Sequence, residues 1–218
     1  MKKILGKAVP SVLVSSGVRF LVYAVFLGVL TAAMMWGSAV QGYAFYRENG
    51  PVETAETAFC LVAVLGFLFA ARLDSSKTSC AVLLAGLFFC FFIRESDELL
   101  DTFVAKDAWV AGVVAVLIAM IFYAKRNEQE IFHSGAEFVS SPSFGAFISG
   151  LLVLLVFSRL FGYGPFWKAV THNNGYRVVK RVTEEGVEMA GYVLMFISSL
   201  EYLYEAQIRR KNDTGLKD

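Results

Sequence analysis

Residues 20–46 read FLVYAVFLGVLTAAMMWGSAVQGYAFY and contain no charged side chain. A bilayer core of about 30 Å needs roughly 20 mostly apolar residues in helical form, so this stretch is long enough to cross it. Its apolar run is also longer than the roughly 7–15 residues of a signal peptide, although Lys2, Lys3 and Lys7 precede it. The stretch therefore predicts an uncleaved membrane-spanning helix.

The composition of the whole chain agrees with a membrane protein. Of 218 residues, 56% are hydrophobic and 18% are charged, whereas soluble domains average about 25% charged residues. Lys and Arg number 20 against 19 Asp and Glu, which excludes a basic nucleic-acid-binding protein. Cys60, Cys80 and Cys90 lie in apolar runs without paired spacing, which excludes a disulfide framework and a cysteine metal motif.

Further apolar runs extend the pattern to an all-α, polytopic integral membrane helix bundle. We predict six transmembrane helices, at about 19–41, 54–72, 79–99, 108–124, 143–161 and 185–205, in a single domain over 1–218. Residues 125–142 are then a cytoplasmic loop, and residues 162–184 are an outer basic loop. The second and last segments carry acids at their ends, so a re-entrant path remains an alternative for either of them.

The distribution of positive charge sets the orientation. With six crossings and the N-terminus inside, 12 Lys and Arg residues fall on the inner side and 8 on the outer side. Positive residues favour the cytoplasmic side. We therefore expect both termini in the cytoplasm.

Three groups of charged residues stand at predicted helix ends on the outer side. The candidate polar site comprises Glu53, Glu56, Arg94, Glu95, Asp97, Glu98, Glu184, Glu185 and Glu188. Acids at helix N-termini complement the helix dipole, which accounts for Glu53, Glu56, Glu184 and Glu185 without a function. It does not account for the acids that close the third helix, or for Glu188 about one turn inside the last helix.

The inner ends show no such concentration of acids, which weighs against a transport pathway. We therefore expect the three groups to converge on one outer polar site, with Arg94 neutralising Glu56 or Glu188 from another helix.

Carboxylates without cysteine or clustered histidine favour a hard divalent cation such as Mg²⁺, Ca²⁺ or Mn²⁺. Glu56, Glu98 and Glu188 are the candidate ligands. Basic residues of the outer loop are candidates for contact with an anion, such as the phosphate of a lipid: His172, Arg177, Lys180 and Arg181.

Short motifs resemble those of uncharacterised bacterial inner-membrane proteins with six helices. The matching pieces are Asn49-Gly50-Pro51-Val52-Glu53 with Glu56, Arg94-Glu95-x-Asp97, and Glu184-Glu185-x-x-Glu188. The resemblance implies a bacterial inner membrane and attaches no activity to the chain.

Three classes of function fit this sequence, which leaves open whether the protein is an enzyme and how many copies assemble. The first is an outer carboxylate site that holds a cation and acts on or binds a lipid or lipid-linked substrate. The second is a structural or assembly protein whose charges only fix helix packing. The third is a small proton- or cation-coupled transporter. Apart from the lipid bilayer and such a ligand, the sequence indicates no partner.

Overall fold

The computed structural model of the chain describes residues 2–213 and 215, with side chains from residue 14 onward. Met1, Thr214 and residues 216–218, which the sequence assigns with the termini to the cytoplasm, lie outside the described residues. Ten α-helices make up most of the described chain: α1 (Lys2–Gln41), α2 (Pro51–Leu73), α3 (Thr78–Glu95), α4 (Asp97–Phe103), α5 (Ala108–Arg126), α6 (Glu128–Val139), α7 (Pro142–Leu152), α8 (Ser158–Phe161), α9 (Gly164–Val170) and α10 (Tyr176–Asp213). A π-helical turn, Val153–Phe157, joins α7 to α8 without interruption.

Five helices are long and apolar enough to cross a membrane. They are Val14–Tyr46, Pro51–Leu73, Ser75–Glu95, Ala108–Arg126 and Pro142–Phe161. They confirm the all-α class and indicate a membrane protein. Among the described residues the predicted sixth span, in α10, does not meet this standard of hydropathy.

The chain forms two compact units, Met1–Phe45 and Tyr46–Asp218. The first consists mainly of α1, whose large apolar side chains, such as Phe20 and Trp36, are exposed. In the second unit, α2 packs between α3 and α10, α10 packs between α2 and α7, and α5 packs on the other side of α3. The helix with the most polar sequence, α10, thus lies between two apolar helices.

Aromatic rings fill the centre of the second unit. Phe67 of α2 contacts Phe88 of α3 and Tyr202 of α10, with ring centres 5.4 and 5.5 Å apart. On the other side of α10, small residues allow close approach to α7. A Cβ on Gly150 would lie 2.7 Å from the carbonyl oxygen of Gly191, so neither helix has room for a side chain at this crossing.

Two helix ends differ from the predicted bounds. The third helix ends at Glu95 and not near residue 99, because Ser96 leaves the helical conformation at φ −105° and ψ 16°. The last helix begins at Tyr176 and not near residue 185. Its early turns are held by two i,i+4 ion pairs, Lys180–Glu184 and Arg181–Glu185, which support a helix where the sequence suggested a loop. The stretch predicted as a cytoplasmic loop contains α6.

Candidate functional site

Three segments of the second unit meet at one of its ends: the start of α2, the end of α3 with α4, and the N-terminal part of α10. Between them lies a cavity of about 370 Å³, and every residue that lines it is charged. The lining residues are Glu48, Glu53, Arg94, Glu95, Asp97, Glu98, Asp101, Arg181, Glu185 and Glu188. We call this space the acidic cavity, since eight of these ten residues are acids.

Two residues of the predicted polar site do not line the acidic cavity. Glu56 is buried within α2, and Glu184 pairs with Lys180, Nζ to Oε2, at 3.0 Å. The cavity also includes Glu48 and Asp101, which belong to the same acidic stretches of sequence but not to the predicted polar site. Asp101 lies one helical turn beyond Asp97 in α4, on the same charged face.

Glu56 has an unusual environment. None of its surface is exposed, and neither of its carboxylate oxygens has a hydrogen-bond partner among the described residues. Its electrostatic neighbours are Glu95, Glu185 and Glu188, all of which line the acidic cavity. Glu56 thus lies near three acids of the cavity without lining it.

Glu95 connects α3 to α10. Its Oε1 accepts a hydrogen bond from the Tyr192 hydroxyl at 2.6 Å and pairs with Nη1 of Arg94 at 2.9 Å. The expected ion pair of Arg94 with Glu56 or Glu188 on another helix is therefore wrong. Arg94 lies in the last turn of α3, at the edge of the cavity. Its side chain is 41% exposed and pairs with the adjacent Glu95.

Glu188 takes its basic partner from a different helix. Nη2 of Arg159, in α8, lies 3.0 Å from Oε1 of Glu188. The π-helical turn before α8 adds a residue to the helix and so rotates the residues that follow it. The sequence analysis did not include Arg159 in the site. The sequence shows only that a positive charge follows the fifth apolar run, on the predicted outer side.

The basic residues predicted to contact an anion divide into two pairs. Lys180 and Arg181 are engaged by acids, and Nη1 of Arg181 lies 3.1 Å from Oε1 of Glu48. Arg177 and His172 are exposed, and Arg177 lies over the ring of Tyr176. Arg181 therefore offsets part of the negative charge of the acidic cavity.

Glu185 titrates close to neutrality. Burial raises the pKa of Glu185 to about 7; Arg181 opposes the rise, and Glu188 and Glu53 add to it. Glu185 lies outside the five apolar helices. The acidic cavity therefore contains a carboxyl group that exchanges protons near physiological pH.

A groove of about 220 Å³ adjoins the acidic cavity between α2 and the end of α3 with α4. Its lining residues are Asn49, Glu53, Thr54, Thr57, Ala58, Leu61, Phe92, Glu95 and Leu99. Glu53 and Glu95 line both spaces, so the groove is charged at one end and apolar along Leu61, Phe92 and Leu99.

A second group of charged residues lies at the junction of α2, α3 and α10, away from the cavity, where each acid has a basic partner. Lys77 is 3% exposed, its Nζ lies 2.9 Å from Oε2 of Glu205, and it sits 4.3 Å from the centre of the Tyr202 ring. Arg209 pairs with Glu137 at 3.0 Å. Lys77 and Glu205 are far apart in sequence, so only the packing of α10 reveals the pair.

The candidate cation ligands do not converge on one point. Glu98 and Glu188 line the acidic cavity and Glu56 lies behind it, and nowhere in residues 14–213 are three His, Cys, Asp or Glu grouped to hold a metal ion. The carboxylates surround a space instead. Such an arrangement suits an ion that keeps several water molecules, as Mg²⁺ commonly does.

Comparison of the chain with protein-family models, curated proteins and solved structures finds no match.

Proposed function

We propose that this protein is a multi-pass membrane protein whose acidic cavity holds a partly hydrated divalent cation and presents it to an anionic lipid or lipid-linked substrate. One observation carries the proposal: eight carboxyl groups and only two guanidinium groups line a single cavity of about 370 Å³. Like charges gathered this closely repel one another, and a bound cation relieves that repulsion. The cation is Mg²⁺, Mn²⁺ or Ca²⁺, because carboxylate ligands suit hard ions.

The adjoining groove supports a lipid as the second ligand. Its apolar part includes Leu61 and Leu99, which are 41% and 51% exposed. An acyl or isoprenoid chain lying there would bring its headgroup to Glu53 and Glu95, where the groove meets the cavity. A cation between the carboxylates and a phosphate would join the two negatively charged partners.

We place the protein in a bacterial inner membrane with six crossings and both termini in the cytoplasm. The excess of positive residues on the inner side supports this orientation, and the short motifs support the bacterial membrane. The position of α10 between α2 and α7 supports a sixth crossing, because a helix packed between two spans can keep its polar side chains away from lipid.

A proton- or cation-coupled transporter is a second candidate, favoured by the ion pair of buried Lys77 with partly buried Glu205. Buried charges at two levels of one bundle are a feature of ion pathways. Proteoliposomes that carry an ion gradient distinguish the two candidates, since only a transporter dissipates the gradient faster than protein-free vesicles.

Titration of detergent-purified protein with Mn²⁺, read by electron paramagnetic resonance, tests the cation site. We expect saturable binding, weakened about tenfold or more by Glu95→Gln and by Glu188→Gln. Glu128→Gln is the matched control, because Glu128 is exposed in the first turn of α6 and does not line the cavity. Unchanged binding in both cavity variants would refute the site.

The lipid is tested by quantifying phospholipid that copurifies with the protein. Leu61→Gln should lower lipid retention because it places an amide in the groove. Leu65→Gln should not, since Leu65 is equally exposed on α2, at 45%, but does not line the groove. Equal retention in the two variants would argue against a lipid in this groove.

A further inference from the structure

The short helix α9 presents large apolar side chains outside the five apolar helices. Tyr163, Phe166 and Val170 are 58%, 44% and 55% exposed. Phe166 and Val170 lie one helical turn apart in α9, and Tyr163 directly precedes the helix, so the three share one side of the segment. We call these three side chains the α9 face. Apolar side chains gathered at such a surface indicate contact with lipid or with another protein.

The α9 face continues the exposed side of the apolar helix that precedes it. Leu160, at the end of that helix, is 57% exposed. Its carbonyl oxygen accepts a hydrogen bond from the amide of Tyr163, and the Tyr163 carbonyl oxygen accepts one from the amide of Phe166, both at 3.2 Å. Hydrogen-bonded turns therefore lead directly from the side chains of the fifth apolar helix to those of α9.

A short connection keeps α9 close to the end of this apolar helix. Two residues separate Phe161, where the apolar helix ends, from Gly164, where α9 begins. Three residue steps reach about 11 Å at most, and the headgroup layer of one leaflet is about 5–8 Å thick. The indole N–H of Trp167 also donates to the carbonyl oxygen of Phe161. This geometry holds the α9 face within reach of the boundary between headgroups and acyl chains.

Two cations stand beside the α9 face. Nζ of Lys168 lies 5.1 Å from the centre of the Tyr176 ring, and the guanidinium carbon of Arg177 lies 5.8 Å from it. Among the side chains that the structure describes, no acid pairs with either cation. Uncompensated positive charge next to exposed apolar side chains suits a leaflet that carries anionic headgroups.

We propose that α9 is an interfacial anchor, with the α9 face in the acyl boundary of one leaflet and Lys168 and Arg177 at its anionic phospholipid headgroups. Tyr and Trp side chains favour this level of a bilayer, because their rings are apolar and their polar atoms reach the headgroups. Apolar burial and attraction to phosphate then act together on one short segment. None of these residues lines the acidic cavity, so the anchor needs no bound cation.

Spin labels in the full-length protein, reconstituted into nanodiscs of phosphatidylcholine and phosphatidylglycerol, test where the α9 face lies. Single cysteines are introduced as Phe166→Cys and, as the control, as Asn174→Cys at an exposed position after α9. The native cysteines are buried. Power saturation compares collisions of the label with oxygen, which concentrates in lipid, and with a water-soluble nickel chelate. The label at 166 should favour oxygen, and the label at 174 should favour nickel.

Other results at position 166 would overturn the anchor. A label that collides mainly with the nickel chelate would place the α9 face in water. Shielding from both reagents would mean that protein, such as a second copy of the chain, covers the face in place of lipid.

The fluorescence of Trp167 tests the choice of headgroup. The changes Trp36→Phe and Trp109→Phe remove the other two tryptophans of the chain. Bromine atoms on acyl chains quench an indole only at close range, so quenching reports the lipids next to α9. Brominated phosphatidylglycerol should bind there about twofold or more tightly than brominated phosphatidylcholine. Equal quenching by the two lipids would overturn the contact with anionic headgroups.

Charge variants in the same background assign the preference to its residues. Lys168→Gln combined with Arg177→Gln should abolish the preference for phosphatidylglycerol. Arg47→Gln combined with Lys106→Gln is the matched control, because it removes the same charge from exposed positions outside the α9 segment, and it should keep the preference. A preference that survives the loss of Lys168 and Arg177 would overturn their role as headgroup contacts.

Discussion

Loss of Arg159 and loss of Arg94 would have different effects on the acids with which they pair. Glu188 is 6% exposed, and its direct basic partner is Arg159. Glu95 accepts from the Tyr192 hydroxyl as well as from Arg94, so it keeps a partner when Arg94 is lost. Arg159 should therefore contribute more to the stability of the folded protein than Arg94, although the sequence analysis singled out Arg94.

We expect Arg159→Ala to lower the stability of the protein in detergent by about 1–3 kcal/mol, less than the loss for a fully buried pair because the Arg159 side chain is half exposed. Arg94→Ala should cost less. Thermal melting monitored by circular dichroism measures both, and adding Glu188→Gln to Arg159→Ala should restore part of the loss. A larger loss for Arg94→Ala would contradict this assignment.

Glu185 makes stability depend on pH. Its folded-state pKa of about 7 exceeds its ordinary value of 4.5, so between these values the folded protein binds more protons than the unfolded one. Stability should then fall as pH rises from about 5 to above 7. Melting temperatures in the presence of a chelator test this, and Glu185→Gln should flatten the slope. A slope unchanged in the variant would assign the effect to another group.

Among the elements, the α7–α10 crossing depends on two glycines. A Cβ on Gly150 would lie 2.6 Å from Cγ of Met195 and 2.7 Å from the Gly191 carbonyl oxygen. Backbone cannot yield as a flexible side chain can. The Ser143 hydroxyl, which donates to the Ser198 carbonyl oxygen at 2.7 Å, lies at a second point of contact between the same helices.

Gly150→Ala should therefore destabilise the protein by about 1–3 kcal/mol, the usual range for overpacking. Gly145→Ala is the control on the same helix, because a Cβ there meets no atom within 4 Å. Removal of a glycine from a helix should make the control neutral or slightly stabilising. Equal melting temperatures for the two variants would contradict the prediction, since α7 and α10 could then move apart without loss of stability.

Apolar runs predicted α2 and α5 closely, since in both the hydrophobic stretch coincides with the helix. They predicted only residues 185–205 of α10, which has a mixed buried face that includes Glu188, Tyr192, Ser199 and Tyr202 among apolar residues. A hydropathy scale measures the affinity of side chains for lipid. This face of α10 contacts protein, so hydropathy does not identify it. The acids could be assigned to helix ends from sequence, but Arg159 could not be paired with Glu188, because that depends on how two helices rotate against each other.

For the whole molecule, the orientation decides which side of the membrane the acidic cavity faces. Single cysteines at Ser140 and Asn174 test it with a membrane-impermeant thiol reagent. Both positions are exposed, whereas neighbouring Ser143 is buried. In intact cells only Asn174→Cys should react, because the excess of positive residues predicts residue 140 on the inner side. Reaction at Ser140→Cys alone would put the cavity on the cytoplasmic side.

The polarity of α10 also bears on how the chain is made. A translocon passes helices into lipid according to their own hydrophobicity, and acids in the middle of a segment oppose that transfer. Glu188 and Glu201 flank only a short apolar stretch, and α10 is synthesised after the other helices that the structure describes. If α10 crosses the membrane as we propose, its insertion has to follow that of α2 and α7, which pack against it, so that assembly of the bundle and completion of its topology become a single event.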